Sequence, residues 1–455
     1  MTSLARREVL GVAALTSLLL LVLSPRYGYH RDELYFLQAG RHLDWGYPDQ
    51  PPLTPLLARL MSAIAPHSLL VLRLPSTLCG GAMVLLTGLL ARDLGARRSG
   101  QLFASAAMAI GGIVLGVSHL LSTATTYLLG CVVLTWLVLR VHQGADPRSW
   151  LLIGAVAGVT AQANVLAGVV LGALVLGAPR VLRSVWPWLG LALAAAMVTP
   201  YLLWQAQHGW PQLQVAQGIA KGGSTSSVSR PLFPLLFVLQ GGPWLAPVWI
   251  TGLRRTWREA RFLPVATVLL AVAFLVLGGK PYYLGGLLPA LIAAGAQPVV
   301  DRSRRLAATL VLLSTPALVF TLPLLPVREA GLVLPANPDV GETIGWPELA
   351  QQVATLSHGR PVVTGNYGEA GALSRYTSLR VFSGHNGFGY WGMPPGQAEV
   401  VLVGLDPAGL CRTSAELGEL HNAFGIKDDE DGVLVRSCVP RRPWAQLWAK
   451  VQFVG

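Results

Sequence analysis

Long apolar runs separated by short basic turns fill the first 325 positions of this chain. Runs near the roughly 17 to 25 residues that cross a bilayer lie at 8–24, 69–91, 100–117, 119–139, 149–163, 165–182, 186–205, 231–253, 262–278, 282–299 and 305–325. They predict about eleven transmembrane helices. The turns within 100–139 and 149–182 are short, and Gly, Ser and Thr interrupt the apolar pattern there. No small-residue cleavage site follows the first run, so it reads as a retained helix rather than a signal peptide. A polar loop, 25–68, separates the first two runs.

Past residue 325 the pattern changes. Short apolar stretches at 361–364, 380–382, 399–403 and 433–439 alternate with helix-like stretches at 346–357, 413–424 and 443–451. This predicts a small α/β domain over 326–455, long enough to bury its own core. The expected architecture is an α-helical polytopic membrane domain, 1–325, followed by that domain.

Composition agrees with the membrane assignment. The chain is 53% hydrophobic and 12% charged, with a mean hydropathy of +0.52, whereas soluble domains carry about a quarter charged residues. Basic residues gather at alternate turns: Arg6 and Arg7; Arg92, Arg97 and Arg98; Arg140 and Arg148; Arg180 and Arg183; Arg254, Arg255, Arg258 and Arg261; Arg302, Arg304 and Arg305. By the positive-inside bias these turns and the N-terminus face the cytosol of a plasma-membrane protein. An odd number of crossings then places the polar loop and the C-terminal domain outside. The net charge of +12 resides in the membrane part, with 24 Lys/Arg against 9 Asp/Glu before residue 326 and 10 against 13 after it. That distribution fits anchoring in an anionic lipid bilayer, and no compact basic face points to nucleic acid. Cys79 and Cys131 fall in apolar segments as small buried residues. Cys411 and Cys438 share the tail, as a disulfide or as two free thiols.

The polar loop carries the candidate chemistry. It holds Asp32, Glu33, Asp44 and Asp49, four of the nine acids before residue 326, and the other five lie within a few residues of an arginine. A carboxylate at a membrane surface is partly desolvated and suited to general-base catalysis. His30 and Arg31 beside it can hold a leaving phosphate. The alternative is that Asp32 and Glu33 simply open an interfacial helix, favoured by its N-terminal dipole. Downstream, Trp45 to Pro52 forms a proline-stiffened turn. Asp49 and Gln50 are its candidates for secondary contacts, Asp44 reads as structural, and Trp45 and Tyr47 suit an interfacial aromatic belt.

The run HRDELYFLQAGRHLDWGYPDQPPLTP, residues 30–55, resembles the first external loop of the GT-C membrane glycosyltransferases. The likeness is to the protein O-mannosyltransferase and aminoarabinose-transferase superfamily, family 39-like, in its bacterial branch. Lys280-Pro281-Tyr282-Tyr283 with Leu288-Pro289-Ala290 is similar to that family's lysine-tyrosine element. In the tail, Asn366 to Ala372, Ser383 to Asn386 and Tyr390-Trp391-Gly392 are similar to the branch signature. The resemblance implies a polyprenyl-phosphate sugar donor used on the outer face, with Asp32 as the catalytic aspartate and Glu33 its companion.

It also implies a phosphate contact at Lys280, supported by Tyr282 and Tyr283, where the bland alternative is a snorkelling lysine. Some relatives bind a divalent metal ion near this loop, which makes His119 either a ligand or an ordinary structural histidine. Glu369, His385 and Asn386 are candidates either for contacting an acceptor (protein, polysaccharide or glycolipid) or for stabilising the tail. Two positions depart from the family pattern: Tyr127 stands where relatives carry an acid, and Asn164 where they carry a lysine. A lipid-linked sugar flippase and an inactive scaffold are the competing classes. The flippase would need polar groups at mid-membrane depth.

Overall fold

The computed structural model describes residues 2–222 and 228–455. The first helix, α1 (Arg6–Leu23), packs along α4 (Leu69–Asp93), and the polar loop between them folds as two short helices, α2 (Arg31–Ala39) and α3 (Leu53–Ile64). Glycines allow the α1–α4 approach: a Cβ at Gly81 would meet the Ala13 carbonyl at 2.9 Å, and one at Gly80 the Leu20 side chain at 2.8 Å. The Gly80-Gly81 pair therefore serves packing within the chain.

Helices occupy all eleven predicted runs, but they are less uniform than the hydropathy suggests. Among the described residues, five are long and apolar enough to span a membrane: α4, α7 (Thr123–His142), α10 (Trp186–Gln207), Pro281–Arg302 and Arg304–Thr321. The run at 100–117 is broken into α5 (Arg98–Ala109) and α6 (Gly112–Ser118), bent by 54° at the Gly111-Gly112 pair. The run at 231–253 is bent by 85° between α12 (Phe233–Gly241) and α13 (Ala246–Glu259), where Gly242 adopts φ +89° ahead of Pro243. Counting each bent pair as one span gives seven. Shorter apolar helices are α3, α8 (Ser149–Ala161), α9 (Leu166–Leu176) and α14 (Phe262–Leu277). A further helix, α11 (Pro211–Lys221), follows α10.

The segment Pro281–Arg302, a 3-10 turn running into α15 (Leu288–Arg302), lies at the centre of the bundle with 89% of its window buried. By contrast Arg304–Thr321, comprising α16 (Arg304–Ser314) and α17 (Ala317–Thr321), is only 17% buried and lies at the periphery.

The tail is a five-stranded sheet with helices, in the order β2-β1-β3-β5-β4. The strands are β1 (Val362–Thr364), β2 (Val381–Ser383), β3 (Val400–Val403), β4 (Cys411–Glu419) and β5 (Leu434–Pro440). β1 runs parallel to β2 and β3, while β5 is antiparallel to both β3 and β4. The helices are α18 (Trp346–Ser357), α19 (Tyr367–Tyr376) and α20 (Trp444–Val451).

The helix expected over 413–424 is instead the edge strand β4. Its side chains are largely exposed, so pairing with β5, rather than an apolar helical face, decides its conformation. A Cys411–Cys438 disulfide ties that edge near its start to β5.

Candidate active site

Two helix N-termini meet at the site, one from each domain. α2 begins behind His30, whose Nδ1 accepts from the Asp32 amide at 3.2 Å, while Glu33 Oε2 accepts from the His30 amide at 2.9 Å. α19 begins in the same way: Asn366 Oδ1 accepts from the Gly368 amide at 2.7 Å, and Glu369 accepts from the Asn366 amide at 3.2 Å. Each pair satisfies amides that a helix start leaves unbonded.

Glu33 lies at the bottom of the site with no exposure. Its oxygens accept from Arg73 Nε at 2.8 Å and Nη2 at 2.7 Å, from the Leu121 amide at 2.8 Å and from His30. Burial opposes ionisation, yet the Arg73 guanidinium and these amides hold the carboxyl below its usual range. Arg73 also donates to the carbonyls of Ser24 and Gly28. The Glu33 carboxylate is thus engaged on both oxygens, and it welds α2, α4 and the start of α7 together.

Asp32, one position earlier, is placed differently. Its side chain is 41% exposed. Oδ1 accepts from the Tyr367 hydroxyl at 2.7 Å, while Oδ2 has His30 Nδ1 at 3.9 Å, beyond hydrogen-bond reach. Burial pushes its carboxyl up, but His30, Arg31, the Tyr367 bond and Lys280 outweigh it and keep the pKa below the ordinary aspartate value.

The membrane domain supplies a cation within electrostatic reach of Asp32. Lys280 precedes the buried turn Pro281–Leu287, and no carboxylate among the described residues pairs with it within salt-bridge distance. Burial lowers its pKa, while Asp32 and Asp339 act to raise it. Tyr282 and Tyr283 follow with ring centroids 4.7 Å apart, edge to face. The Tyr127 hydroxyl, at one of the two departures, donates to the Tyr283 carbonyl at 3.0 Å and so fixes the lysine-tyrosine turn against α7. Asn164, the other, accepts from the Leu166 amide at 3.0 Å at the start of α9.

The loop's remaining candidates turn inward. Tyr35 donates to Asp49 Oδ1 at 2.7 Å and accepts from the Gly387 amide at 3.1 Å. Burial pushes the Asp49 carboxyl up to about 7, and the Asp32 charge adds to that shift. Gln50 is 3% exposed, and neither amide atom has a partner. Asp44 accepts from Trp204 Nε1 at 2.8 Å, anchoring the loop to α10. Tyr47, placed in the interfacial belt by its position, is instead buried, with its hydroxyl on the Ala39 and His42 carbonyls. Trp45 is 65% exposed, as a belt residue would be.

Arg31 is held mainly by the tail. It pairs with Glu342 at 3.2 Å and Asp429 at 3.7 Å, lies 3.9 Å from Asp32, and sits 5.4 Å above the Tyr367 ring. Glu369 is 2% exposed and caps its own helix; burial pushes its carboxyl up to about 8. His385 Nε2 lies 2.9 Å from the Gly455 carbonyl, and burial lowers the imidazole to about 4. Asn386 accepts from the Gly455 amide, and its own amide donates to Phe453. Glu369 and Asn386 therefore hold the tail's own fold.

His119 is 8% exposed, and its Nδ1 lies 3.2 Å from the Leu115 carbonyl one turn back. Among the described residues no group of three or more His, Cys, Asp and Glu side chains is arranged to hold a metal ion.

Two residues that build the site were not singled out in the sequence. Arg73 could have been, because an arginine inside an apolar run demands a buried partner. Tyr367 sits within the tail signature but 335 positions from Asp32, and no local pattern joins the two.

The family model for dolichyl-phosphate-mannose-protein mannosyltransferase matches residues 49–204. No curated protein sequence matches. Two crystal structures of ArnT from Cupriavidus metallidurans, one apo and one bound to undecaprenyl phosphate, superpose with TM-scores of 0.63, at 15% and 16% identity. Each alignment covers 94% of this chain and 97% of that one. The apo oligosaccharyltransferase of Archaeoglobus fulgidus superposes with a TM-score of 0.51 at 14% identity, over 82% of this chain and 64% of the other. The fold is that of the GT-C glycosyltransferases.

Proposed function

We propose that, on this GT-C fold, the chain transfers a sugar from a polyprenyl-phosphate donor to an acceptor hydroxyl at the outer face of the membrane, with Asp32 as general base. The observation that carries this reading is the contrast among carboxylates. Glu33 is saturated, while burial biases Asp49 and Glu369 toward their protonated forms. Asp32 is held ionised, partly exposed, and within the electrostatic reach of Lys280. A base that works near neutral pH must be ionised and must have a free oxygen.

The reaction is a single inverting displacement. The acceptor oxygen bonds to the anomeric carbon as its proton passes to Asp32, and the bond from that carbon to the donor phosphate breaks. The departing phosphate gains charge, which Lys280 neutralises as a preorganised point charge, with Tyr282 and Tyr283 beside it. Glu33 takes no proton; it fixes the start of α2 through Arg73. A donor of this kind agrees with the ArnT structure bound to undecaprenyl phosphate. The outer-face assignment rests on the basic turns.

Reconstituted protein given a radiolabelled polyprenyl-phosphate sugar provides the test. Asp32→Asn should lower transfer by about 10²- to 10⁴-fold with membrane insertion unchanged. Full activity in that variant would eliminate the base. Sugar crossing the vesicle membrane without transfer would mark a flippase.

A further inference from the structure

The hydroxyl that touches Asp32 belongs to the tail and is rigidly held. Tyr367 is the first residue of α19, directly behind the Asn366 cap. Its ring packs against Tyr35 at 5.1 Å and His385 at 4.7 Å, with the Arg31 guanidinium above it. His385 in turn stacks on Phe453 at 4.2 Å. The helices carrying the two partners nearly touch: a Cβ at Gly371 would fall 2.8 Å from Leu34 Cβ, and one at Gly368 2.9 Å from Arg31 Cβ. Tyr367 is thus carried on a helix packed directly against the one that bears Asp32.

This arrangement makes the two oxygens of Asp32 unequal. Oδ1 is occupied by the tyrosine hydroxyl, and among the described residues Oδ2 has no hydrogen-bond donor within reach. The titratable and charged groups within electrostatic reach of the carboxylate are His30 and Arg31 from the start of α2, Tyr367 from α19, Lys280 and Tyr282 from the turn before α15, Asp49 from the loop after α2, and Glu342 and His385 from the tail. Among them Tyr367 is the one hydrogen-bonded to it through a side chain, so it orients the carboxylate, while His30, Arg31 and Lys280 share with it in stabilising the charge.

We infer that Tyr367 is a positioning residue of the transfer reaction, holding the Asp32 carboxylate with Oδ2 directed to the acceptor proton. The C-terminal domain is thereby part of the catalytic centre. The inference rests on Asp32 being the base.

Tyr367→Phe keeps the ring and its packing while removing the hydroxyl. With Asp32 freer to rotate and less stabilised as an anion, kcat falls on the order of 10- to 100-fold, and the KM for the donor stays within about twofold. The acid limb of the kcat–pH profile moves to higher pH, because a carboxylate that loses a donor is easier to protonate. Replacing Tyr367 with a fluorotyrosine, a stronger donor, moves the limb the other way. A purely structural role would lower thermal stability without moving the limb. Tyr367→Phe with the wild-type kcat and pH limb overturns the inference. Asp32→Asn, assayed in parallel, separates the two claims: activity in that variant defeats the general base itself, whatever Tyr367 does.

Discussion

Arg73 grips Glu33 through two nitrogens at 2.8 and 2.7 Å, and neither side chain is more than 1% exposed. A buried pair of this kind is most damaging when half of it is removed, because the other charge is left without a partner. Glu33→Gln is expected to destabilise the protein by about 3–5 kcal/mol, read as a lower unfolding temperature in detergent. The double variant Glu33→Gln with Arg73→Gln should recover part of the loss. If Glu33→Gln unfolds like the wild type yet transfers no sugar, Glu33 acts in the chemistry and not in the scaffold.

Lys280 is electrostatically coupled to Asp32 and Asp339 but forms no salt bridge among the described residues, which leaves its ammonium available to an anion. Lys280→Gln should raise the donor KM by roughly 10-fold or more, a loss of one charge-assisted contact. Lys280→Arg, which keeps the charge, should recover much of it. Donor kinetics unchanged in Lys280→Gln would reduce the residue to a snorkelling lysine.

The tail should lose stability in alkali. Burial pushes Glu369 up to about 8, and burial with neighbouring acids pushes Glu430 up to about 9. The folded domain therefore holds protons that the unfolded chain releases at its ordinary glutamate pKa. The stabilisation is complete below about pH 4 and disappears as pH rises through the folded values. Unfolding temperature should fall between pH 6 and pH 9, and Glu369→Gln with Glu430→Gln should flatten that slope. An equally steep slope in the double variant would assign the effect to other groups.

The Cys411–Cys438 bond closes a separation of 27 residues, for which chain-entropy arguments give about 3.5 kcal/mol. Reduction should destabilise the tail by that order, with little change in unfolding of the helical bundle. Because β4 is an edge strand, protease cleavage within 411–440 should accelerate on reduction; unchanged cleavage would show that strand pairing alone holds the edge.

Much of the scaffold was legible because bilayer crossing imposes a length and polarity code that any apolar run must obey. The code lost precision where helices break: Gly111-Gly112 and Gly242-Pro243 bend runs that hydropathy reads as continuous. It also failed at 413–424, where a helix-compatible pattern yielded to strand pairing with β5. At the site, Asp32 stood out because acids are rare before residue 326, yet composition could not separate it from Glu33. Burial does so, by placing Arg73 against one and leaving the other exposed. Tyr367 stayed hidden because its partner lies across a domain boundary.

The Tyr367–Asp32 contact also sets an order of events during synthesis. The loop carrying Asp32 is made early, and its partner emerges 335 residues later, an interval of roughly 17 to 67 s at 5 to 20 residues per second. Over that interval the bundle can enter the membrane and meet lipid, but its aspartate lacks the tyrosine. On the proposed role of Tyr367, a chain that ends or stalls before residue 367 lacks the contact that aims its base.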